Sequence, residues 1–560
     1  MRGLASEALS LVKDAGSAPA ARQKSAKKSA SQIINELNFR FSGNWIARQC
    51  VAVGFEELSK LDVETSSLDD YRRWLEVILS ELDGQQYIAE IVDQLILLAR
   101  EGKEKSKIDL LAREFTSTLQ GLGVSRDHIN ASVLDFFFSE RKISDVETIK
   151  DFCRVVYPHM HRYSVALGVS DEITSISSDS LKEMDILRLD EGGDNEGVQA
   201  ETHSSLKAEL RANQVVLISV RATDYNSAAS LAQKKIDDVG SFFKIFNHRS
   251  TFSTSDQAVA IQACCDGVSK TLDLGGNHMH YIRDMRMAKA SVNFKRYHEG
   301  ITLDVGSDRN KFRNIINIHG MSLSSASPDI QLVNIWTRLE TVSPSRGNQS
   351  NVDAVVKAIV PPIMLGYIDR IVSNAIFDIL KWDRRSFTRS LQKAQIEHLP
   401  DLTSKFVSLL TNPANEAALE DLLGRFKDFE LLRYRIYTLA LLLRDQEKLK
   451  DRVTTHQKLI TWQIHRIYRS RNRIIHSGTS PQFTGYLVEN AHDFFDIVLM
   501  FCMELSNTKS GYDTFESCFD FAEGAYGRYL SALHDSANSD RLWSLPKRKG
   551  RSFIFDRELP

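Results

Sequence analysis

Ile464-His465-Arg466-Ile467-Tyr468-Arg469-Ser470-Arg471-Asn472-Arg473-Ile474-Ile475-His476-Ser477-Gly478 is the stretch whose reading decides the fold of this chain. The apolar residues Ile460, Ile464, Ile467, Tyr468 and Ile475 recur at the spacings of one helical face, which predicts a buried stripe with the arginines turned outward. Ser477-Gly478, with Pro481 beyond, ends that helix, because glycine accepts the left-handed turn and proline cannot continue the ladder. His476 then stands at a helix C-terminus, where the dipole favours a protonatable group.

Outward from this stretch the pattern stays helical. Helices are expected near 386–398, 415–447, 452–476, 485–506 and 512–534. Ile330, Val333, Ile335, Trp336 and Leu339 predict another before a polar break at Ser343 to Ser350. Val355 to Leu380 is long and apolar, and Pro361-Pro362 should break or kink it. Residues 326–535 therefore read as a helix bundle and 536–560 as a basic tail carrying Lys547-Arg548-Lys549.

Upstream, 1–169 reads as a helical N-terminal domain behind a frayed basic arm. Trp74, Val77, Ile78 and Leu82 share one face, as do Ile88, Ile91, Val92, Leu95 and Ile96. Ser125 and Ser144 are candidate helix starts. Residues 170–205 form an acidic, Ser-rich linker, and 206–325 a small α/β or β-rich regulatory domain. Its strands are expected at Val215–Val220, Ala258–Cys264, Ala290–Tyr297, Ile301–Val305 and Ile315–Leu323, with a helix over Ala222–Phe246. The fold class is mainly α, with this small α/β region between helical parts.

Across 560 residues, 71 Lys+Arg stand against 73 Asp+Glu, so any nucleic-acid affinity must come from a local patch. No apolar run suits a bilayer, and no glycine-rich loop carries the lysine of a nucleotide-binding site. Six cysteines without a C-x-x-C pair point to a reducing cytoplasm. The pairs His159-Met160-His161 and His278-Met279-His280 offer two metal ligands each, but no neighbouring acid or cysteine in the sequence completes either set. Neither a metal nor another cofactor is expected.

The helix end suits RNA cleavage. Without a metal, that reaction needs a base for the 2′-hydroxyl and a cation for the phosphate. Imidazole titrates near neutral pH and can serve as base and then acid, while guanidinium grips phosphate through paired hydrogen bonds. Arg469 and Arg473 widen the basic footprint, and Tyr468 offers either a ring for base stacking or core packing. Two similar spacings exist. Arg154 to His159 has Val155 after the arginine and Pro158 before the histidine, and Arg313-Asn314 to His319 sits in an Ile/Asn alternation that reads as a strand.

Arg471-Asn472-x-x-x-His476, between one helix and the next, resembles the Arg-polar-spacer-His motif of the HEPN superfamily, most closely the Apea-like HEPN ribonucleases of bacterial anti-phage defence. The resemblance covers about 326–535, with Trp336-Thr337-Arg338-Leu339-Glu340 opening the bundle. It implies a metal-independent endoribonuclease leaving 2′,3′-cyclic phosphate ends. His476 would be its general base or acid, Arg471 its phosphate ligand, Asn472 a polar assistant and Glu340 a support for an arginine. It also implies RNA as substrate, a homodimer or higher oligomer formed through the bundle, and control by an unknown phage-derived trigger in abortive infection. The alternative is a bundle that binds RNA, nucleotide or a protein without cutting.

Overall fold

The computed structural model describes residues 1–534 apart from 18–19, 62–65, 140–144, 158, 190–199, 250–251, 266, 275–276, 281–284, 302, 304–306, 345–350, 395, 397, 400, 482 and 508–511. The fold is mainly α with one five-stranded antiparallel sheet. It comprises two compact units, Met1–Gly275 and Gly276–Pro560. The acidic run 190–197, the Ser144 helix start, most of Ile301–Val305 and the basic tail lie outside the described residues.

In the first unit the expected N-terminal arm is instead a helix, Arg2–Ser17, whose Ala5, Ala8, Val12 and Ala15 are buried. Small side chains at three- and four-residue spacing let that helix lie close to its neighbours, although their composition resembles a solvated arm. Leu68–Glu81 and Gly84–Glu101 form the predicted amphipathic helices, the second closed by Gly102 at φ 67°. Ser125 caps the helix Arg126–Phe137 by accepting the His128 N–H.

The sheet comprises β1 (His161–Val169), β2 (Ile186–Arg188), β3 (Gln214–Ala222), β4 (Thr254–Gln262) and β5 (Ser269–Asp273), in the order β2-β3-β1-β4-β5. Its central strand falls where helix was expected, and β2 lies within the expected linker. β1 is buried on both faces, so its Ser-Val-Ala-Leu-Gly-Val run shows no alternation to announce a strand. Gly168 is needed there, because a β-carbon would come 2.5 Å from Ala212 Cβ. The helix Tyr225–Lys244 packs on the sheet through Ala228, Ala229, Ala232 and Ile236, while Leu231 and Phe242 are exposed. Asp224 ties this layer to the N-terminal helices. It caps the Tyr225 helix through Ser227 and takes the Ser125 N–H at 2.9 Å and hydroxyl at 2.8 Å. Burial works to raise the Asp224 pKa, but the hydrogen bonds from Ser125 and Ser227 outweigh it and hold the carboxyl below its ordinary range.

Among the described residues, the regular elements of the second unit are all helices. Two expected strands are helices, Met287–Gly300 and Ser307–Leu323. In the latter Asp308, Ile315 and Ser322 are buried at seven-residue spacing while Ile316 is exposed, so helical periodicity overrides the Ile/Asn alternation. Pro361 and Pro362 lie inside the helix Asn351–Leu365 rather than ending it, flanked by buried Ile359, Val360, Ile363 and Met364. The expected helix start near 386 is marked by Asp383, which leaves helical geometry and accepts the Ser386 N–H. The core gathers Pro328–Val342, Asn351–Leu365, Gln446–Ser477, Thr484–Ser506 and Phe515–His534 around Trp336, Ile359, Ile464, Phe495 and Phe519.

Candidate functional site

The Arg471 helix runs Gln446–Ser477, started by the Asp445 side chain and stopped by Gly478 at φ 61°, whose N–H bonds to Ile474 O. Ile460, Ile464 and Ile467 are buried as the periodicity predicts, but Ile475 is 45% exposed, because the last turn runs past the core. Tyr468 is half-buried with its ring 5.1 Å from that of Trp336, so it packs into the bundle. Glu340 makes no ion pair or hydrogen bond to an arginine among the described residues.

His476 and Arg473 are exposed, and Arg471 and Asn472 half-buried. Arg471 donates to Asn472 Oδ1 at 2.9 Å, and Arg473 Nε donates to Thr479 Oγ1 at 3.0 Å. The Arg471 Nε is buried without an acceptor among the described residues. A guanidinium N–H shut away from water and unpaired is costly, and an incoming phosphate oxygen would relieve it. At roughly 100° per residue, Asn472 and His476 lie one above the other, Arg473 sits beside them, and Arg471 stands about 140° round the helix. The Arg471–Asn472 hydrogen bond thus links the arginine to the histidine face.

A second cluster in the same unit escaped sequence reading. Arg338 is wholly buried, donates to His319 Nδ1 and lies 4.2 Å over the Phe495 ring. His492, on the helix Thr484–Ser506, reaches Asp496 Oδ2 through Nε2 at 3.3 Å. Burial, helped by the Arg338 charge, pushes His319 and His492 down to about 4, and burial pushes Asp496 up to about 7. Arg313 is exposed and plays no part, so the Arg313/His319 spacing brings nothing together. The signal in the sequence was Arg338 itself, an arginine within an apolar helical stripe.

His319, His492 and Asp496 place three donor atoms within 4.8 Å of one another. However, His319 Nδ1 accepts from Arg338, so its ring proton sits on Nε2 and no lone pair remains for a cation. The guanidinium charge opposes one further. The cluster is a polar core network. His159, His161 and Cys265 make another such group, in the first unit.

No family model, curated protein or solved structure matches the chain. No helix among the described residues is long and apolar enough to cross a membrane.

Proposed function

We propose that the second unit is a HEPN-type, metal-independent endoribonuclease, acting as a regulated effector in bacterial anti-phage defence, with RNA as substrate and two or more copies pairing through the bundle. The observation that carries this reading is the helix end itself, where exposed His476 stands one turn above Asn472 and Asn472 holds Arg471, whose buried Nε lacks an acceptor. His476 takes the 2′-hydroxyl proton and later returns a proton to the leaving 5′-oxygen, while Arg471 neutralises the phosphate as charge gathers on it. Asn472 orients the guanidinium, and Arg469 and Arg473 extend the contact to neighbouring phosphates.

The angular separation of Arg471 from His476 favours a site shared between copies, in which one chain's arginine serves the other's histidine. It equally supports a second reading, a bundle that binds RNA, nucleotide or a partner without cutting. Cleavage of total cellular RNA in magnesium-free buffer decides between them. The proposal expects 2′,3′-cyclic phosphate ends from wild type and none from Arg471→Ala or His476→Ala. RNA binding that persists without any cleavage, under phage challenge as well as in the purified protein, supports the binding reading instead.

A further inference from the structure

A group of nitrogen and sulfur donors lies at the edge of the first unit's sheet. Antiparallel pairing sets Tyr163 of β1 against Gln262 of β4. Two residues back along one strand and two on along the other, the same register brings His161 to Cys264. The Ala263 N–H bonds to Arg162 O at 2.8 Å, and the Arg162 N–H to Cys264 Sγ at 3.3 Å.

The chain then turns at Cys265, which takes left-handed backbone at φ 60°, a conformation that residues with a β-carbon avoid. That turn swings the second sulfur back to the first. His161 Nδ1 lies 3.5 Å from Cys264 Sγ and 4.0 Å from Cys265 Sγ, and His159 Nε2 lies 3.8 Å from Cys265 Sγ. The two imidazole rings are 4.1 Å apart. In a tetrahedral site with Zn–S of about 2.3 Å and Zn–N of about 2.0–2.1 Å, sulfur and nitrogen ligands stand about 3.6 Å apart. These three spacings bracket that edge length; His159, His161 and Cys265 lie within 4.8 Å of one another, and Cys264 reaches the group from the His161 side.

We propose that His159, His161, Cys264 and Cys265 form a closed tetrahedral zinc site that staples the start of β1 to the turn between β4 and β5. Two imidazoles and two thiolates match the softness and coordination number of that ion, and four protein ligands leave no open position, as in a structural site. Gln262 Nε2 now sits 2.7 Å from His161 Nδ1, and the Tyr225 hydroxyl donates to Gln262 Oε1. Metal entry exchanges the first of these contacts for a coordination bond.

The test uses the full chain, purified under a thiol reductant that does not bind metal. One zinc per chain is expected, and cobalt added to the metal-stripped chain should give thiolate-to-cobalt charge-transfer absorption with the strong visible bands of tetrahedral Co2+. Cys264→Ser with Cys265→Ser should lose both signals, and His159→Ala should weaken zinc binding at least tenfold. Stoichiometric zinc retained by the double serine variant, or cobalt binding without thiolate bands, overturns the proposal. A measurement on the wild-type chain guards against misfolded variants. Zinc should slow alkylation of Cys264 and Cys265, read by peptide mass, while leaving Cys50 and Cys153 unchanged. Equal rates with and without zinc also overturn it.

Discussion

Two arginine–histidine sites in the same helical unit use the same chemistry for opposite ends. At Arg338–His319 the guanidinium is wholly buried, stacked on Phe495 and bonded to an imidazole that burial keeps neutral. At Arg471–His476 the histidine stands in solvent on the last turn of a long helix, and the arginine keeps a donor without an acceptor. The contrast teaches that residue type alone does not separate a core network from the site proposed for RNA cleavage. What separates them is burial: His319 and His492 are shut inside the bundle, whereas His476 stands where a ligand can reach it.

The sharpest way to break this contrast is to remove each arginine. Arg338→Met leaves Asp496 without its neighbouring charge and should cost the unit about 3–5 kcal/mol in urea unfolding. Arg471→Ala removes a half-buried side chain bonded to its neighbour Asn472 and should change stability by no more than about 1 kcal/mol. A small effect at Arg338 would mean that the buried network is not the fastening described here. The histidines should part the other way. His476→Ala is expected to lower RNA cleavage by about 10²–10⁴-fold, the usual contribution of a general acid–base group, with unfolding unchanged.

Acid sharpens the same comparison. His319 and His492 have folded-state values near 4, below the ordinary 6.5, so the unfolded chain takes up their protons first and stability is lost as pH falls from 6.5 towards 4. Asp496, raised from 3.8 to about 7, works in the opposite sense over nearly the same window. Two histidines against one carboxyl leave a net destabilisation of about 1.4 kcal/mol per pH unit. Urea midpoints measured at several pH values should show it, and His492→Asn should flatten the slope. A modest effect belongs to the helix stop. Gly478→Ala forces a side chain into the left-handed region at φ 61° and should cost about 1 kcal/mol in the same measurement.

The sequence made the decisive helix and its stop legible, because Ile460, Ile464 and Ile467 keep strict helical spacing and Gly478 has one conformational use. It also showed β3, whose Val215-Val216-Leu217-Ile218 is dense in β-branched residues. β1 stayed hidden because a strand buried on both faces loses its alternation, and Ser307–Leu323 was misread because Ile316, exposed beside buried Ile315, and half-buried Ile318 imitated one. His161 and Cys264 are 103 residues apart and are brought together only by strand register, so the sequence alone does not set them side by side. Arg338 was visible as a letter, but only packing shows that His319 is its partner.

The most direct test of the central claim is the initial rate of RNA cleavage, with product-end analysis, for His476→Ala and His319→Ala measured beside wild type at a pH where all three are folded. The account predicts that His476→Ala abolishes cyclic-phosphate product while His319→Ala cuts at the wild-type rate. Cleavage lost with His319→Ala and retained with His476→Ala would contradict it, and would place the chemistry at the buried cluster.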